Sequence, residues 1–169
     1  MRGRTAASLD FGIQKTDMTT TYYDTLESRS SDQREAALLG ALPGLVAHAQ
    51  KAAPAFSKLL AGVEAAAITS RAALAKLPVT RKSDLHDLQK ASRPNDVFGG
   101  FSALLRGPNM PRLFASPGPI YEPEGTAKDY WRAGRAMYAA GFRAGDLAHN
   151  AFSYHMTPGA FIMESGLHA

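Results

Sequence analysis

The sequence predicts an α/β protein in which a helical amino-terminal segment precedes the start of a mostly parallel sheet. Leucine and alanine recur at helical spacing over residues 31–92. Two short apolar runs after residue 110 are bounded by Gly/Pro loops, as strands are. A helix-like stretch separates them, which makes one βαβ unit over residues 111–169. Ligands of parallel sheets bind beyond the carboxyl ends of the strands, so we expect functional residues in the loops that follow these two strands.

The composition suits one domain and excludes several classes of function. The chain has 169 residues, of which 45% are hydrophobic, enough for a core of ordinary size. The formal net charge is +4, but the basic residues are interleaved with acids, and Arg81-Lys82 is an isolated basic pair. No run of Lys and Arg is long enough to indicate nucleic-acid binding. We therefore expect no nucleic-acid partner.

Cysteine usage and hydropathy indicate a cytoplasmic protein without a membrane partner. The sequence has no cysteine, which excludes disulfides, thiolate metal sites and a cysteine nucleophile. The longest apolar run, around residues 36–49, is interrupted by Gly40, Pro43, Gly44 and His48 and is too short to span a bilayer. The first residues lack the apolar middle region of a secretory signal.

Residues 1–20 show neither a helical nor a strand period and are expected to form a disordered tail. Met18 directly precedes the first recognisable pattern, Tyr22-Tyr23-Asp24, so both Met1 and Met18 are candidates for the translation start. Residues 21–169 are expected to form one unit, helical over 31–92 and βαβ over 111–169.

The first helix is expected to begin at Ser31 or Asp32, with Glu35 completing a capping box from Asp32. Pro43 has no N–H to donate and cannot continue the helical hydrogen-bond ladder, so it either kinks this helix or begins a second one. Both alternatives bury an apolar stripe that consists of Leu38, Leu39, Leu42, Leu45, Val46 and Ala49.

Three shorter helices follow. The first covers residues 54–60, the second is capped by Thr69 or Ser70, and the third is capped by Thr80 or Ser83. Stripes of Leu and Ala at this spacing are packing surfaces, so we expect no cofactor contact here. The third helix carries two leucines on one face, Leu85 and Leu88.

A predicted strand over residues 111–116 ends in a segment that is rich in proline. By its residues alone, Ser116-Pro-Gly-Pro119 is typical of a tight, rigid turn. Glu122 and Glu124 come next and favour a solvated acidic patch, although paired carboxylates can also help to hold Mg²⁺.

The next helix is expected to run from Thr126, its N-cap, to Gly141, its C-cap, with Asp129 at the capping-box position. Trp131 is interpreted as a packing residue. A second strand over residues 147–152 and a helix over 160–168 complete the prediction. The expected buried stripe of the helix from Thr126 to Gly141 consists of Tyr130, Ala133, Met137 and Ala140.

One motif and its neighbours carry a family resemblance. Leu77-Pro-Val-Thr-Arg-Lys-Ser-Asp-Leu85 resembles the LP-x-T-x-K-x-D-L element of phenylacetate–coenzyme A ligases, which belong to the adenylate-forming (AMP-dependent acyl-CoA synthetase) superfamily. The order of several matches, more than any one motif, supports the resemblance from Tyr22 onward. The other matching segments are Tyr22-Tyr23-Asp24, Ala53-Pro54-Ala55-Phe56, Gly141-Phe-Arg-Ala-Gly-Asp146 and Asn150-Ala-Phe-Ser-Tyr154.

The resemblance implies a reaction and two binding loops. The parent reaction joins a carboxylic acid to ATP as an acyl-adenylate, releases pyrophosphate and transfers the acyl group to coenzyme A, with Mg²⁺ as the metal. We assign no catalytic residue and no resident metal site to this chain. The family's phosphate loop corresponds to Ser116, Pro117, Gly118, Pro119, Ile120 and Tyr121, and its aromatic acid-binding loop to Tyr154, His155, Met156 and Thr157.

The phosphate loop departs from the family pattern in a consistent direction. Pro117 and Pro119 remove two N–H donors, and Ile120 supplies no hydroxyl. Glu122 stands where lysine is common, and like charges a few ångströms apart repel by about 1 kcal/mol in water. The loop is therefore expected to bind phosphate weakly or with a different geometry.

The resemblance also predicts an incomplete domain: the amino-terminal part of a ligase, inactive on its own. The alternative is a non-catalytic binding or assembly module, derived from such a ligase, that pairs with a protein partner or with itself through the open edge of an unfinished sheet.

A hydrolase is disfavoured because Ser153 lacks the Gly-x-Ser-x-Gly setting. His149 and His155 are six residues apart, which suits no metal pair.

Overall fold

The computed structural model describes residues 21–169, so the predicted tail and both candidate start residues lie outside the described part. None of the helices in that part is long and apolar enough to cross a membrane. A 3₁₀ turn, Ala65–Ala67, lies between the second and third helices. The elements in chain order are α1 (Ser31–Ala52), α2 (Pro54–Leu59), α3 (Arg71–Leu74), α4 (Lys82–Ser92), β1 (Arg112–Ser116), β2 (Ile120–Glu124), α5 (Gly134–Ala139) and α6 (Gly159–Leu167).

The first helix is capped one or two residues earlier than the sequence predicts. Ser30 is the N-cap: its hydroxyl accepts the Gln33 N–H at 3.2 Å, and the Gln33 side chain accepts the Ser30 N–H at 2.9 Å. The predicted caps, Ser31 and Asp32, are therefore wrong. The carboxylate of Glu35 instead binds Arg71 at 2.5 Å, and this hydrogen bond lowers the pKa of Glu35. A competing long-range partner thus removes Glu35 from the cap.

Pro43 lies inside α1, which continues as a single helix to Ala52. Of the two alternatives, the start of a second helix does not occur.

The leucine stripe of α1 is buried along one edge only. Val46 packs with Leu60 and Ile68 in the core of the helical segment. Leu38 and Leu45 are 66% and 62% exposed, which corrects the prediction that the whole stripe is buried. The predicted stripe spans roughly 120° around the helix axis, whereas α2 and the 3₁₀ turn pack against a narrower face.

Of the three short helices, two follow their predictions closely. Residues 54–59 form α2, and Ser70 caps α3 by accepting the Ala73 N–H at 3.1 Å. The third, α4, has Arg81 as N-cap without a side-chain cap, so neither Thr80 nor Ser83 fills that role.

The buried face of α4 contains only one residue of the predicted leucine pair, Leu85, which is half-buried. Leu88 is substantially exposed, while its polar neighbour Gln89 is buried. The reason lies in β2, against which α4 packs, because that strand offers backbone groups rather than an apolar surface.

The sheet is an antiparallel hairpin, which corrects the predicted parallel βαβ unit. The register pairs Arg112 with Glu124 and Ser116 with Ile120. Only residues 117–119 separate the strands, and a parallel return needs a connection of about a dozen residues or more. The predicted strand over 147–152 has no strand assignment in the described structure. The sequence did not predict β2, because this strand contains a proline and two glutamates.

Pro123 is tolerated within β2 because of where it lies in the ladder. Antiparallel pairs alternate between hydrogen-bonded and non-hydrogen-bonded positions. The Ala115 N–H points away from β2 and bonds to the Met156 carbonyl at 2.8 Å, so the Ala115–Tyr121 pair is of the non-hydrogen-bonded type. Leu113–Pro123 lies two residues along and is therefore of the same type. The missing N–H of proline thus removes no bond between the strands.

The helix predicted from Thr126 is much shorter, because two residues with positive φ prevent it from starting there. Asp129 and Arg132 have φ of 49° and 56°. The carboxylate of Asp129 accepts the N–H groups of Ala133 at 2.7 Å and Gly134 at 3.1 Å, so Asp129 caps the start of α5 rather than occupying the third position of an earlier helix. The predicted cap at Thr126 is wrong, while α6 matches the helix predicted over residues 160–168.

Two glycine-to-alanine substitutions in helices are expected to have opposite effects on stability. A Cβ at Gly166 would lie 2.7 Å from the Cβ and 2.9 Å from the carbonyl carbon of Ala133, so Gly166→Ala should cost about 1–3 kcal/mol by overpacking. Gly44 has nothing within 4 Å of the same position, and Gly44→Ala should stabilise α1 by about 0.5–1 kcal/mol. Urea unfolding of both variants measures the difference; equal signs would contradict the close approach of Gly166 to Ala133.

Candidate functional site

The hairpin buries one face against an aromatic cluster. Residues that are directly opposite in an antiparallel pair share a face, which places Phe114 with Ile120 and Glu122. Phe114 is 2% exposed, and its ring lies 6.0 Å from Trp131 and 5.1 Å from Phe161, centroid to centroid. Trp131 is therefore a packing residue, as predicted. This cluster fixes the hairpin against α6.

A carboxylate is buried at the open end of the same face. Glu124 is only 6% exposed and accepts a hydrogen bond from Arg112 at 3.0 Å, while its second oxygen has no partner. The Arg112 guanidinium also lies 4.6 Å from the centre of the Phe161 ring. The predicted solvated patch is thus wrong for Glu124, because the hairpin pairs its strand position with Arg112 and buries its side chain.

Tyr130 lies near both glutamates of β2. Burial raises the pKa of the Tyr130 hydroxyl, and the charges of Glu124 and Glu122 raise it further. A phenolate next to two carboxylates is disfavoured, so the hydroxyl stays protonated well into the alkaline range. Tyr130 can therefore act as a hydrogen-bond donor in this part of the chain.

The turn of the hairpin contains only half of the six residues predicted to bind nucleotide. Pro117, Gly118 and Pro119 form it and are exposed. Ser116, Ile120 and Tyr121 belong to the strands instead, and Ile120 is buried beneath the turn.

Few hydrogen-bond donors are available at this turn. The two prolines lack an N–H, so Gly118 supplies the single backbone donor of the three turn residues. Its φ of 150° is one that side chains rarely adopt, which explains the glycine. The Ser116 hydroxyl lies 3.3 Å from the Ile120 carbonyl, to which it donates across the turn. The amide can donate to one phosphate group, and the hydroxyl can join it only by releasing the Ile120 carbonyl. Two such donors cannot surround a triphosphate.

The structure brings the two predicted loops side by side. The Ala115 N–H donates to the Met156 carbonyl at 2.8 Å, which extends β1 on its outer edge. The segment of predicted acid-binding residues therefore lies beside β1, the strand that leads into the Ser116 turn. Its residues are Tyr154, His155, Met156 and Thr157. A ligand that spans both loops would meet the turn at one end and this segment at the other.

Within that segment, Tyr154 is held in place while Met156 is exposed. The Tyr154 ring packs edge-on against Phe161 at 5.1 Å, and its hydroxyl accepts a hydrogen bond from Asn150 at 3.1 Å. A hydrogen bond with the Glu164 carboxylate raises the pKa of Tyr154. Tyr154 thus presents a fixed aromatic wall, and the flexible Met156 side chain is free to contact a ligand.

His155 is bonded to its own loop. Its Nδ1 accepts the Thr157 N–H at 3.2 Å and lies 3.0 Å from the Thr157 hydroxyl. An Nδ1 that accepts an N–H carries no proton, so the neutral ring has its proton on Nε2. His155 and Thr157 therefore stabilise the loop shape, and Nε2–H is the group His155 can offer to a ligand. Within the described residues, no group of three or more His, Cys, Asp or Glu side chains could hold a metal ion.

Sequence reasoning missed two residues that contact Tyr121. Gln89 binds the Tyr121 backbone, and the Arg93 guanidinium lies 5.3 Å from the centre of the Tyr121 ring. Gln89 lies in α4 and Arg93 is the residue that follows its last turn, about thirty residues earlier in the chain than Tyr121. No local pattern could have identified them, because a polar residue on a helix normally indicates solvent exposure.

Two known ligases are similar to this chain. The phenylacetate-coenzyme A ligase of Aromatoleum evansii is 34% identical over 143 residues, which cover 79% of this chain and 30% of the relative. The crystal structure of 2-hydroxyisobutyryl-CoA ligase in the postadenylation state, in complex with 2-HIB-AMP, matches 80% of this chain and 29% of its own with a TM-score of 0.69 and 26% identity. No protein-family model matches the chain. The chain thus spans about a third or less of the length of these two ligases.

The similarities to these two ligases, each over about four-fifths of the chain, identify an adenylate-forming ligase-like protein. The resemblance to phenylacetate–coenzyme A ligases is confirmed for the aligned part of the chain. The chain is a partial member of that ligase-like group.

Proposed function

We propose that this chain supplies the nucleotide-phosphate and acid-binding loops of an acyl- or aryl-CoA ligase. Such a ligase activates a carboxylic acid with ATP as an acyl-adenylate and transfers the acyl group to coenzyme A. The nucleotide-binding part consists of Ser116, Pro117, Gly118, Pro119, Ile120 and Tyr121. The residues that face the organic acid are Tyr154, His155, Met156 and Thr157.

The observation that carries this proposal is the hydrogen bond from the Ala115 N–H to the Met156 carbonyl. An acyl-adenylate has its phosphate and its acyl group joined by one bond, so the two loops that hold it must be adjacent. The bond between β1 and the 154–157 segment supports that adjacency. The similarity to a ligase crystallised with an acyl-adenylate, 2-HIB-AMP, gives independent support.

The donors of the turn fit one phosphate better than three. An acyl-adenylate carries a single phosphate, which the Gly118 N–H can contact together with the Ser116 hydroxyl once that hydroxyl turns away from the Ile120 carbonyl. Mg·ATP requires a longer array of donors around the β- and γ-phosphates. We therefore expect tighter binding of an acyl-adenylate than of Mg·ATP.

The test is calorimetric titration of the purified chain with a non-hydrolysable sulfamoyl analogue of phenylacetyl-adenylate. Gly118→Ala should lower affinity for the analogue about tenfold, because the left-handed φ costs a side chain about 1–3 kcal/mol and distorts the turn. Gly62→Ala is the matched control: Gly62 also has a positive φ, 78°, with nothing within 4 Å of a Cβ, and lies in the helical segment. It should leave the affinity unchanged.

We also expect no acid-dependent release of pyrophosphate from ATP by this chain alone, since it covers 30% of the length of its relative. Coenzyme A and Mg²⁺ enter the proposal only as participants in the whole ligase reaction. Acid-dependent pyrophosphate release would contradict the expected inactivity. Equal loss of affinity in Gly118→Ala and Gly62→Ala would contradict the role of the turn.

A non-catalytic binding or assembly module is the second candidate, and the two prolines of the turn favour it, because they remove N–H donors that phosphate binding uses. This module would bind neither the analogue nor Mg·ATP. It would instead form a defined complex with itself or a protein partner, which light scattering of the purified chain over a range of concentrations detects for self-association.

A further inference from the structure

Gln89 is buried in a way that needs an explanation. It is 2% exposed, and a primary amide is costly to bury unless its donors and acceptor are satisfied. Its Oε1 accepts the Tyr121 N–H at 2.8 Å, and its Nε2 donates to the Tyr121 carbonyl at 3.0 Å. A longer contact, 3.5 Å, joins Nε2 to the Phe98 carbonyl. The amide is therefore used almost entirely to bind one residue of β2.

The two bonds to Tyr121 reproduce the pattern of a neighbouring strand. Ala115 and Tyr121 form a non-hydrogen-bonded pair, so the N–H and C=O of Tyr121 point away from β1. Gln89 takes both, as a peptide group of a third strand would, and satisfies an edge that would otherwise be open. The hairpin is thus held on its other edge by Met156 and on this edge by Gln89.

The turn itself has little else to hold it. Pro117, Gly118 and Pro119 are exposed, and the bond from the Ser116 hydroxyl to the Ile120 carbonyl acts within the hairpin. It does not fix the hairpin relative to α4. The bonds from Gln89 to Tyr121 do so, and Tyr121 follows the turn by only two residues.

We propose that Gln89 is a positioning residue for the nucleotide-binding turn. By fixing Tyr121 relative to α4, it sets where the Gly118 N–H and the Ser116 hydroxyl lie with respect to the bound phosphate. This inference rests on the proposed function. It predicts that a residue with no contact to the ligand affects ligand affinity through the placement of β2.

The test replaces Gln89 with methionine, which has a similar size and shape but cannot make the two hydrogen bonds. We expect hydrogen exchange of the Tyr121 amide to become about tenfold faster. Affinity for the sulfamoyl analogue of phenylacetyl-adenylate should fall about ten- to hundredfold, because a small misplacement of binding groups has effects of this size. Gln89→Glu keeps the acceptor for the Tyr121 N–H, and its protonated carboxyl group can also donate to the Tyr121 carbonyl. Its effects should therefore be intermediate at acidic pH, where it serves if the methionine variant does not fold.

Gln50→Met is the matched control. The Gln50 amide also donates to two backbone carbonyls, those of Leu60 at 3.0 Å and Val63 at 2.9 Å, but in the helical segment. The substitution should lower stability in the same way and leave the affinity for the analogue unchanged. A general loss of stability would lower the affinity for the analogue in both variants, whereas a positioning role lowers it only in Gln89→Met.

The two readouts separate this inference from the proposed function. Unchanged exchange at Tyr121 in Gln89→Met and Gln89→Glu would overturn the positioning role. Faster exchange of the Tyr121 amide together with wild-type affinity for the analogue would overturn the proposed effect of Gln89 on ligand binding. If the wild-type chain does not bind the analogue, the proposed function and the nucleotide role of Gln89 are both wrong, and exchange alone then decides whether Gln89 holds β2.

Discussion

Phe114→Ala is expected to destabilise the chain by about 3–5 kcal/mol, the cost of removing a large aromatic side chain from a packed core. The Phe114 ring contacts Trp131 and Phe161 and is the most buried aromatic of the hairpin. Its loss leaves a cavity between β1 and α6. A change of this size is a large part of the 5–15 kcal/mol that stabilises a typical domain, so partial unfolding at room temperature is expected.

The control for this variant is Phe152→Ala. Phe152 is 58% exposed, and a surface substitution away from special contacts changes stability by about 0.5 kcal/mol or less. Urea unfolding followed by the fluorescence of Trp131 measures both variants, because Trp131 is the single tryptophan of the chain. Similar midpoints for Phe114→Ala and Phe152→Ala would show that the aromatic cluster does not form as described.

Arg112→Met is expected to cost about 2–4 kcal/mol, because it leaves the Glu124 carboxylate without its cation in a nearly dry site. The half-exposed position of Arg112 places the effect below that of a fully buried pair. The substitution also removes the contact of the guanidinium with the Phe161 ring. The measurement is the free energy of unfolding in urea at neutral pH.

A second substitution tests whether the orphaned charge causes this loss. Arg112→Met combined with Glu124→Gln should recover most of the stability, since neither residue is then charged. Arg71→Met breaks the exposed pair with Glu35 and should have a much smaller effect than Arg112→Met. A double variant as unstable as the single one would mean that Arg112 acts through packing rather than charge.

The fold was predictable where one local signal had no competitor. The strand Arg112–Ser116 and the helices at Pro54–Leu59 and Gly159–Leu167 all follow from short patterns of hydrophobic period and of glycine and proline positions. The cap of α1 moved because both Ser30-x-x-Gln33 and Asp32-x-x-Glu35 match a capping box, and Arg71 binds Glu35 instead. The local pattern does not show that Arg71, far along the chain, removes the second alternative.

The hairpin was not predictable in the same way. The run Ile120–Glu124 contains Pro123 and two glutamates and lacks the alternation of a half-buried strand. It becomes a strand because three conditions are met. Arg112 pairs with the charge of Glu124, and Pro123 occupies a non-hydrogen-bonded position. Gln89 forms hydrogen bonds with the backbone N–H and C=O of Tyr121. Each of these conditions depends on a partner that lies at least ten residues away.

The sequence by itself determined the family resemblance, the helical character of residues 31–92 and the two segments in which ligand contacts are proposed. Order of motifs, hydrophobic period and the positions of proline and glycine are properties of the chain before it folds. Only the tertiary structure decided that the sheet turns back on itself, that Met156 lies beside Ala115, and that Gln89 holds Tyr121. The reason is physical: a strand edge and a buried amide are satisfied by whichever groups the fold places next to them, and sequence distance does not limit that choice.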